Sequence, residues 1–481
     1  MKDANHQSIS KRLLPIHQSV GTALAAVLYL ICMSGAVAVF YPEFERLEQA
    51  TIPEFGEFTG DAAQLVFDNY QQTEEQPAES VYIVLPTFDQ PRAHLSAGGQ
   101  EWWLSKEGKV LEKVHSPWTE MLKELHLYLH LPKLFGMVVV SIFGVILLHL
   151  SITGLLSHRR IYKDLFSFRR SGTGQQSTID LHNRFSVFGL PFSLMIGVTG
   201  AFFGMFSIFS MITASATHQG NETKLIEDIY GGDPVVASAG RRNVTAGFEH
   251  LRKFNSQAHP IYVVVQNMGK EDEFYEIAAT LPGRLIYSEI YRYQSDGTFI
   301  DQQGFENGNV GRQVIYSIYR LHFGHFDSYW IKFTYFLLGI GLSVICVSGI
   351  NIWLNRRGFQ TKLNNIWLSF VWGAPISLVI TAGMAFVGIN QLVLLYWVVL
   401  LSLVVVGALT TSLVRLKKAL LYLLLVSTLL LVMIFNIKQS SSLVNELTSV
   451  FNSMAIIFLM ILVLVNKGYF RPHKKCVSGN N

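Results

Sequence analysis

Charge and cysteine are both scarce in this chain. Only 15% of its 481 residues are charged, against 50% hydrophobic. A chain this poor in charge cannot clothe a large solvated surface, and it reads as an integral membrane protein. Its three cysteines, Cys32, Cys346 and Cys476, form no disulfide framework and no Cys-x-x-Cys pair. A thiolate metal site and covalent haem attachment are thereby excluded, so any haem is held non-covalently. No glycine-rich dinucleotide fingerprint or flavin-binding domain occurs, so an electron carrier of this type needs an external donor. Carboxylates are missing from the apolar runs, which argues against a proton-coupled carrier. The net charge of +4 sits in membrane anchors, and nothing suggests nucleic acid.

What the chain does have is long apolar runs, near 17–40, 134–157, 186–213, 330–354, 367–388, 391–414, 419–437 and 448–466, which predict about eight transmembrane helices. Ala36-Val37-Ala38 resembles a processing site, but the stretch before it exceeds a signal core of about 7–15 residues. Lys11 and Arg12 precede the first run. Arg159, Arg160, Lys163, Arg169, Arg170 and Arg184 lie between the second and third, Arg356 and Arg357 follow the fourth, Arg415, Lys417 and Lys418 follow the sixth, and Lys467, Arg471, Lys474 and Lys475 follow the eighth. All these clusters fall on one side, which predicts cytoplasmic termini.

Histidines recur in register along these runs. His17 and His182 are each followed, seventeen and eighteen residues later, by a small hydroxyl residue and a glycine, Ser34-Gly35 and Thr199-Gly200. His130 precedes Gly144 and Gly154 by fourteen and twenty-four residues, and His325 precedes Gly339 and Gly349 by the same intervals. The outer hydrophilic blocks repeat as well. In 42–125 a helix is expected over 60–72, a strand over 81–85 and a hairpin over 101–110. In 214–321 a helix is expected over 244–255, strands over 261–266 and 274–280, and a hairpin over 291–299.

The expected organisation is a cytoplasmic N-terminus and first span (1–41), an α+β outer domain (42–125), a second span (126–158), a basic loop (159–181), a third span (182–213), a second α+β domain (214–321), a fourth span (322–357), and an accessory four-helix region with tail (358–481). Both repeats begin and end inside, so they are parallel repeats about an axis along the membrane normal. His17 and His182 then lie at one depth near the inner face, and the second histidine clusters lie together near the outer face.

A single histidine at a membrane boundary is commonly a solvated interfacial residue, and glycines serve plain helix packing. Packing alone gives no reason for histidines at fixed offsets. Bis-histidine ligation of haem does, because imidazole on both faces suits the iron to electron transfer. Gly35 and Gly200 lie roughly 27 Å along their helices from the inner histidines, and Gly154 and Gly349 roughly 36 Å from the outer ones, as room for a porphyrin requires. The outer clusters each offer two rings, His126 with His130 and His322 with His325, and either member of each pair can ligate. Arg320 and Lys133 outside, and Arg12 and Arg184 inside, are candidates for the propionates. His149 lies within the second span, and its repeat counterpart is Val344. Three readings stand for it: a replacement inner ligand, a proton carrier or quinone contact, or a core histidine bonded to a neighbouring helix.

At these residues the chain resembles the PepSY-associated transmembrane helix family, which includes iron-regulated inner-membrane proteins and ferric-siderophore reductases. The resemblance covers about 10–358. It rests on His17 opening the first span, His126-x-x-x-His130, Gly154-Leu-Leu-Ser-His158 and the segment through Arg169, Asp180-Leu-His182-Asn183, Gly189-Leu-Pro-Phe192, and Leu321-His322-Phe323. It implies PepSY-like outer domains in a bacterial inner membrane. It further implies two haems b held by His17, His126, His182 and His322, with His130, His149 and His325 as second candidates, and electron transfer from a cytoplasmic or quinol donor to a periplasmic ferric-siderophore or other ferric chelate. Two other functions compete: a cofactor-free regulatory or binding protein acting through the outer domains, and a transporter of iron chelates.

Overall fold

The computed structural model describes residues 2–74, 76–157, 174–236, 240–357, 361–438 and 446–467. His158, the basic loop from Arg159 to Arg170, and the tail with Arg471, Lys474, Lys475 and Cys476 lie outside the described residues. The chain is a multi-pass membrane protein. Seven helices among the described residues are long and apolar enough to cross a membrane: Lys11–Ala38, Lys133–Ser157, Leu190–Thr217, Tyr329–Arg356, Lys362–Val387, Leu392–Leu409 and Leu413–Lys438. The eighth expected span falls on the helix Glu446–Lys467, whose apolar stretch Thr448–Met460 is shorter.

The chain divides into two compact units. One comprises Met1–Tyr41, Pro117–Val198 and Tyr335–Asn481, the other Pro42–Ser116 and Thr199–Thr334. In the order of the chain, α1 is Lys2–Ala38, α2 Tyr41–Glu48, α3 Gly60–Thr73, α4 Pro117–Tyr128, α5 Lys133–Ser157, α6 Gly174–Phe188 and α7 Leu190–Thr217. There follow α8 Glu222–Tyr230, α9 Val244–Phe254, α10 Val310–Phe323, α11 Tyr329–Arg356, α12 Thr361–Val387, α13 Leu392–Leu409, α14 Leu413–Lys438 and α15 Glu446–Lys467.

Three spans expected to run unbroken from their histidines are divided. The second breaks between α4 and α5, where Leu129 and His130 adopt φ of 55° and 57° and Pro132 follows, a residue that disfavours helix in its predecessor. The fourth breaks between α10 and α11, where Gly324 caps α10 in the left-handed region at φ 70°. The third breaks at Gly189, and Pro191 stands in the first turn of α7, where a missing N–H costs nothing. His126, His182 and His322 therefore ride on short helices that precede the spans.

The membrane unit is held by polar contacts from buried aromatic side chains. Tyr29 of α1 donates to the Val371 carbonyl of α12 at 2.6 Å, and the Trp118 indole of α4 donates to Leu378 O at 3.1 Å and Thr381 Oγ1 at 3.2 Å. The accessory helices thus dock directly on the repeat helices α1 and α4. Asn436 of α14 and Asn452 of α15 exchange two amide hydrogen bonds of 2.9 Å, which satisfies both groups in an apolar setting.

In the other unit the two hydrophilic blocks contribute four strands each to a single antiparallel sheet. Its strands are β1 Ser80–Val84, β2 Ala93–Ala97, β3 Gln100–Leu104, β4 Val110–Lys113, β5 His259–Gln266, β6 Phe274–Thr280, β7 Glu289–Gln294 and β8 Phe299–Gln302. The order is β4-β3-β2-β1-β5-β6-β7-β8. The repeats meet at β1 and β5, in the register Val81↔Val265 and Ile83↔Val263, and all four of these side chains are fully buried. Pairing their first strands removes one open edge from each block. On this face lie α3, capped by Thr59 to Ala62 N, and α9, capped by Asn243 to Ala246 N.

Candidate bis-histidine site

In the membrane unit the rings of His17 and His182 face each other with centroids 6.4 Å apart and planes at 77°. The hydrogen bonds around them set the tautomers. Thr153 Oγ1 donates to the His149 carbonyl at 2.7 Å, so its oxygen accepts from His17 Nδ1 at 3.1 Å. Ser348 Oγ donates to Ile345 O, and His182 Nδ1 lies 3.1 Å from that same carbonyl and 3.0 Å from Ser348 Oγ. Nδ1 therefore carries the proton on both rings, and Nε2 keeps the lone pair that a metal takes.

Both rings line a cavity of about 1050 Å³, whose walls include Leu28, Leu147, Leu150 and Ile345. Ligand pockets commonly span about 300–1,000 Å³, so the space admits a tetrapyrrole. Two imidazoles on opposite faces of one metal, each at about 2 Å per bond, put their centroids about 6 Å apart. The observed spacing fits that requirement. Arg356 and Arg357 line the cavity and are exposed, at its mouth. Arg12 and Arg184, the cations expected there, do not line the cavity.

The four ring–glycine contacts follow one pattern. A Cβ on Gly154 would lie 3.1 Å from Cε1 of His17, on Gly349 3.4 Å from that of His182, on Gly35 2.5 Å from that of His126, and on Gly200 3.3 Å from that of His322. The glycines were expected to clear space for a porphyrin; in the structure the imidazole edges occupy that space. His126 Nδ1 donates to Ile31 O at 3.0 Å, and His322 Nδ1 bonds Thr199 Oγ1 at 2.8 Å. Each histidine is thus pinned through Nδ1 to the helix that carries its glycine.

The second-tier candidates sit differently. His130 Nε2 donates to Met121 O at 2.8 Å and its Nδ1 accepts from the Trp397 indole at 3.0 Å, which leaves no lone pair for a metal. His325 Nδ1 lies 3.7 Å from Asp89 Oδ2, and its ring stacks on Tyr319. His149 is exposed on α5, which is not the setting of a core histidine, and it is absent from the residues that line the cavity. Arg320 is spent on the carbonyls of His325, Arg284 and Ile286, and Lys133 is exposed; the buried Arg320 does not serve as a propionate partner.

Sequence reasoning missed Thr153 and Ser348. The signal was present: a hydroxyl residue precedes each of the four glycines, in Ser34-Gly35, Thr153-Gly154, Thr199-Gly200 and Ser348-Gly349.

Residues 14–356 match the family described as PepSY-associated TM region. An uncharacterized protein of Pseudomonas aeruginosa is 26% identical over 257 residues, which is 50% of this chain and 64% of the relative. The match thus spans less than two thirds of that relative's length.

Proposed function

This chain belongs to the PepSY-associated TM region family, and from that premise we propose that it is an inner-membrane b-type electron-transfer protein, with cytoplasmic termini, that reduces a periplasmic ferric-siderophore or other ferric chelate. The observation that carries this reading is the His17–His182 pair, 6.4 Å between centroids, with both Nδ1 atoms tied down beside a cavity of tetrapyrrole size. Haem b bound there supplies a one-electron ferric/ferrous couple. His17 and His182 would hold the iron between their Nε2 atoms, which would leave it no open position for chelate or oxygen. Arg356 and Arg357 supply the cations that propionates need. For a second haem, His126 and His322 are the ligands that the family resemblance implies, and each ring is held through Nδ1 within its own unit. Reduction of the iron weakens its chelate and releases the metal.

The test is the dithionite-reduced minus oxidised absorption spectrum of the purified protein, with haem counted per chain. A haem-sufficient preparation that stays colourless overturns the proposal. Removing the Nδ1 partners gives a graded result: Thr153→Val and Ser348→Ala each weaken haem retention about 10–100-fold, the usual effect of losing a group that orients a ligand. Competition of haem against apomyoglobin measures this. Retention equal to that of the parent would show that the hydroxyls do not orient the rings.

A further inference from the structure

A second cavity, of about 320 Å³, lies beside α11. Its lining on this helix includes Asn351, Leu354 and Asn355, whereas Gly349, Ile352, Trp353 and Arg356 line the His17–His182 cavity. At about 100° per residue these are opposite faces of one helix, so the two cavities are separated by about one helix diameter, 10–12 Å. The other walls come from α12 and α14, through Asn364, Trp367, Trp372 and Lys417. These two helices lie beyond the family match, which ends at residue 356.

Side-chain amides in spanning helices are costly unless they have partners. The Asn351 carbonyl accepts from the Trp367 indole at 3.1 Å, which leaves its NH₂ group to donate. Asn364 Oδ1 is buried and has no hydrogen-bond partner among the described residues. The lining therefore offers a donor and an acceptor together with two indoles, and the exposed Lys417 is the one cation among the lining residues.

We infer that this cavity binds the headgroup of a membrane hydroquinone, the electron donor of the protein; the donor role rests on the function proposed above. A hydroquinone offers two hydroxyl donors and becomes a quinone with two carbonyl acceptors. An amide carries both kinds of group and meets either oxidation state without changing its own protonation. Indole faces suit a flat ring, whereas a phosphate headgroup would call for more than one cation. In the overall step the hydroquinone loses two electrons and two protons to become quinone. The electrons reduce two ferric chelates by one each, and the protons pass to water at the rim beside Lys417.

Full-length protein in lipid nanodiscs, titrated calorimetrically with decylubiquinone, tests the inference. The parent protein binds, and Asn364→Leu and Asn351→Ser each raise the Kd at least tenfold while haem content and melting temperature stay unchanged. If Asn364→Leu fails to fold, Asn364→Ala takes its place. Decylubiquinol then reduces the parent at least tenfold faster than the variants, whereas dithionite reduces all of them equally. No binding to the parent, or a Kd unchanged in the variants, overturns the inference. Failure of the electron-transfer reading shows instead as a haem-free protein, in which the decylubiquinone titration still decides the cavity.

Discussion

On the proposed function, full-length protein carrying His182→Ala loses one haem, and its reduced-minus-oxidised absorbance falls to about half of the parent value if the parent binds two haems per chain. His17→Ala is expected to give the same spectrum, because rings with centroids 6.4 Å apart are spaced as two ligands of one iron would be under the proposed function. His130→Ala leaves haem content unchanged, since both its nitrogens are already engaged by Met121 and Trp397. His149→Ala does so too, since it stands outside the cavity lining. A His182→Met variant separates ligation from folding: a thioether in place of one imidazole keeps the iron and raises its potential. Redox titration and haem quantification read both effects. Full haem in His182→Ala would remove the inner site from the proposal.

Lys332→Met unfolds the sheet-bearing unit more easily by about 3–5 kcal/mol, the range for removing one partner of a buried ion pair. Lys332 is 3% exposed. Its Nζ meets Glu43 Oε1 at 2.7 Å, Glu43 Oε2 at 2.9 Å and Asp89 Oδ2 at 2.9 Å. Burial pushes the Asp89 carboxyl up, but Lys332, His325 and Thr87 together hold it below the usual range. Burial also pushes Glu43 up, and Lys332 only partly offsets that.

The two carboxyls respond to pH with opposite sign. Asp89, depressed in the folded chain, contributes stability that is complete above its unfolded pKa, near 3.9, and is lost as pH falls through its lower folded value. Glu43, raised in the folded chain, costs stability as pH rises from its unfolded value through its folded one. Lys332→Met removes the cation that offsets the burial of both carboxyls, an attraction that counts only while they are ionised, so the loss is larger at pH 7 than at pH 4. Thermal unfolding of the full-length protein at the two pH values measures this. A loss under about 1 kcal/mol at pH 7 would place the cluster among weak surface pairs.

Much of this protein was legible from one-dimensional patterns. Hydropathy marked the membrane class and the spans, because a segment long enough to cross lipid must be apolar whatever it packs against. The motifs around His126, Asp180-Leu-His182-Asn183 and Leu321-His322-Phe323 carried the family. The histidine–glycine register was also visible, since a ring pressed on a helix backbone requires a residue without a side chain at a set height.

Other features depend on partners remote in the chain, and these the tertiary structure alone decided. His126 and His130 are indistinguishable by spacing. Trp397, 267 residues away from His130, takes that ring's remaining lone pair. The exposure of His149 is a matter of which face of α5 meets α1, which no local pattern states. Each outer block reads as a separate α+β domain until Val81 and Val265 are paired. Hydrophobicity and helix periodicity act within a segment, and so the sequence determined the segments; hydrogen-bond pairing acts between segments, and so only the folded chain decided which histidines keep a lone pair.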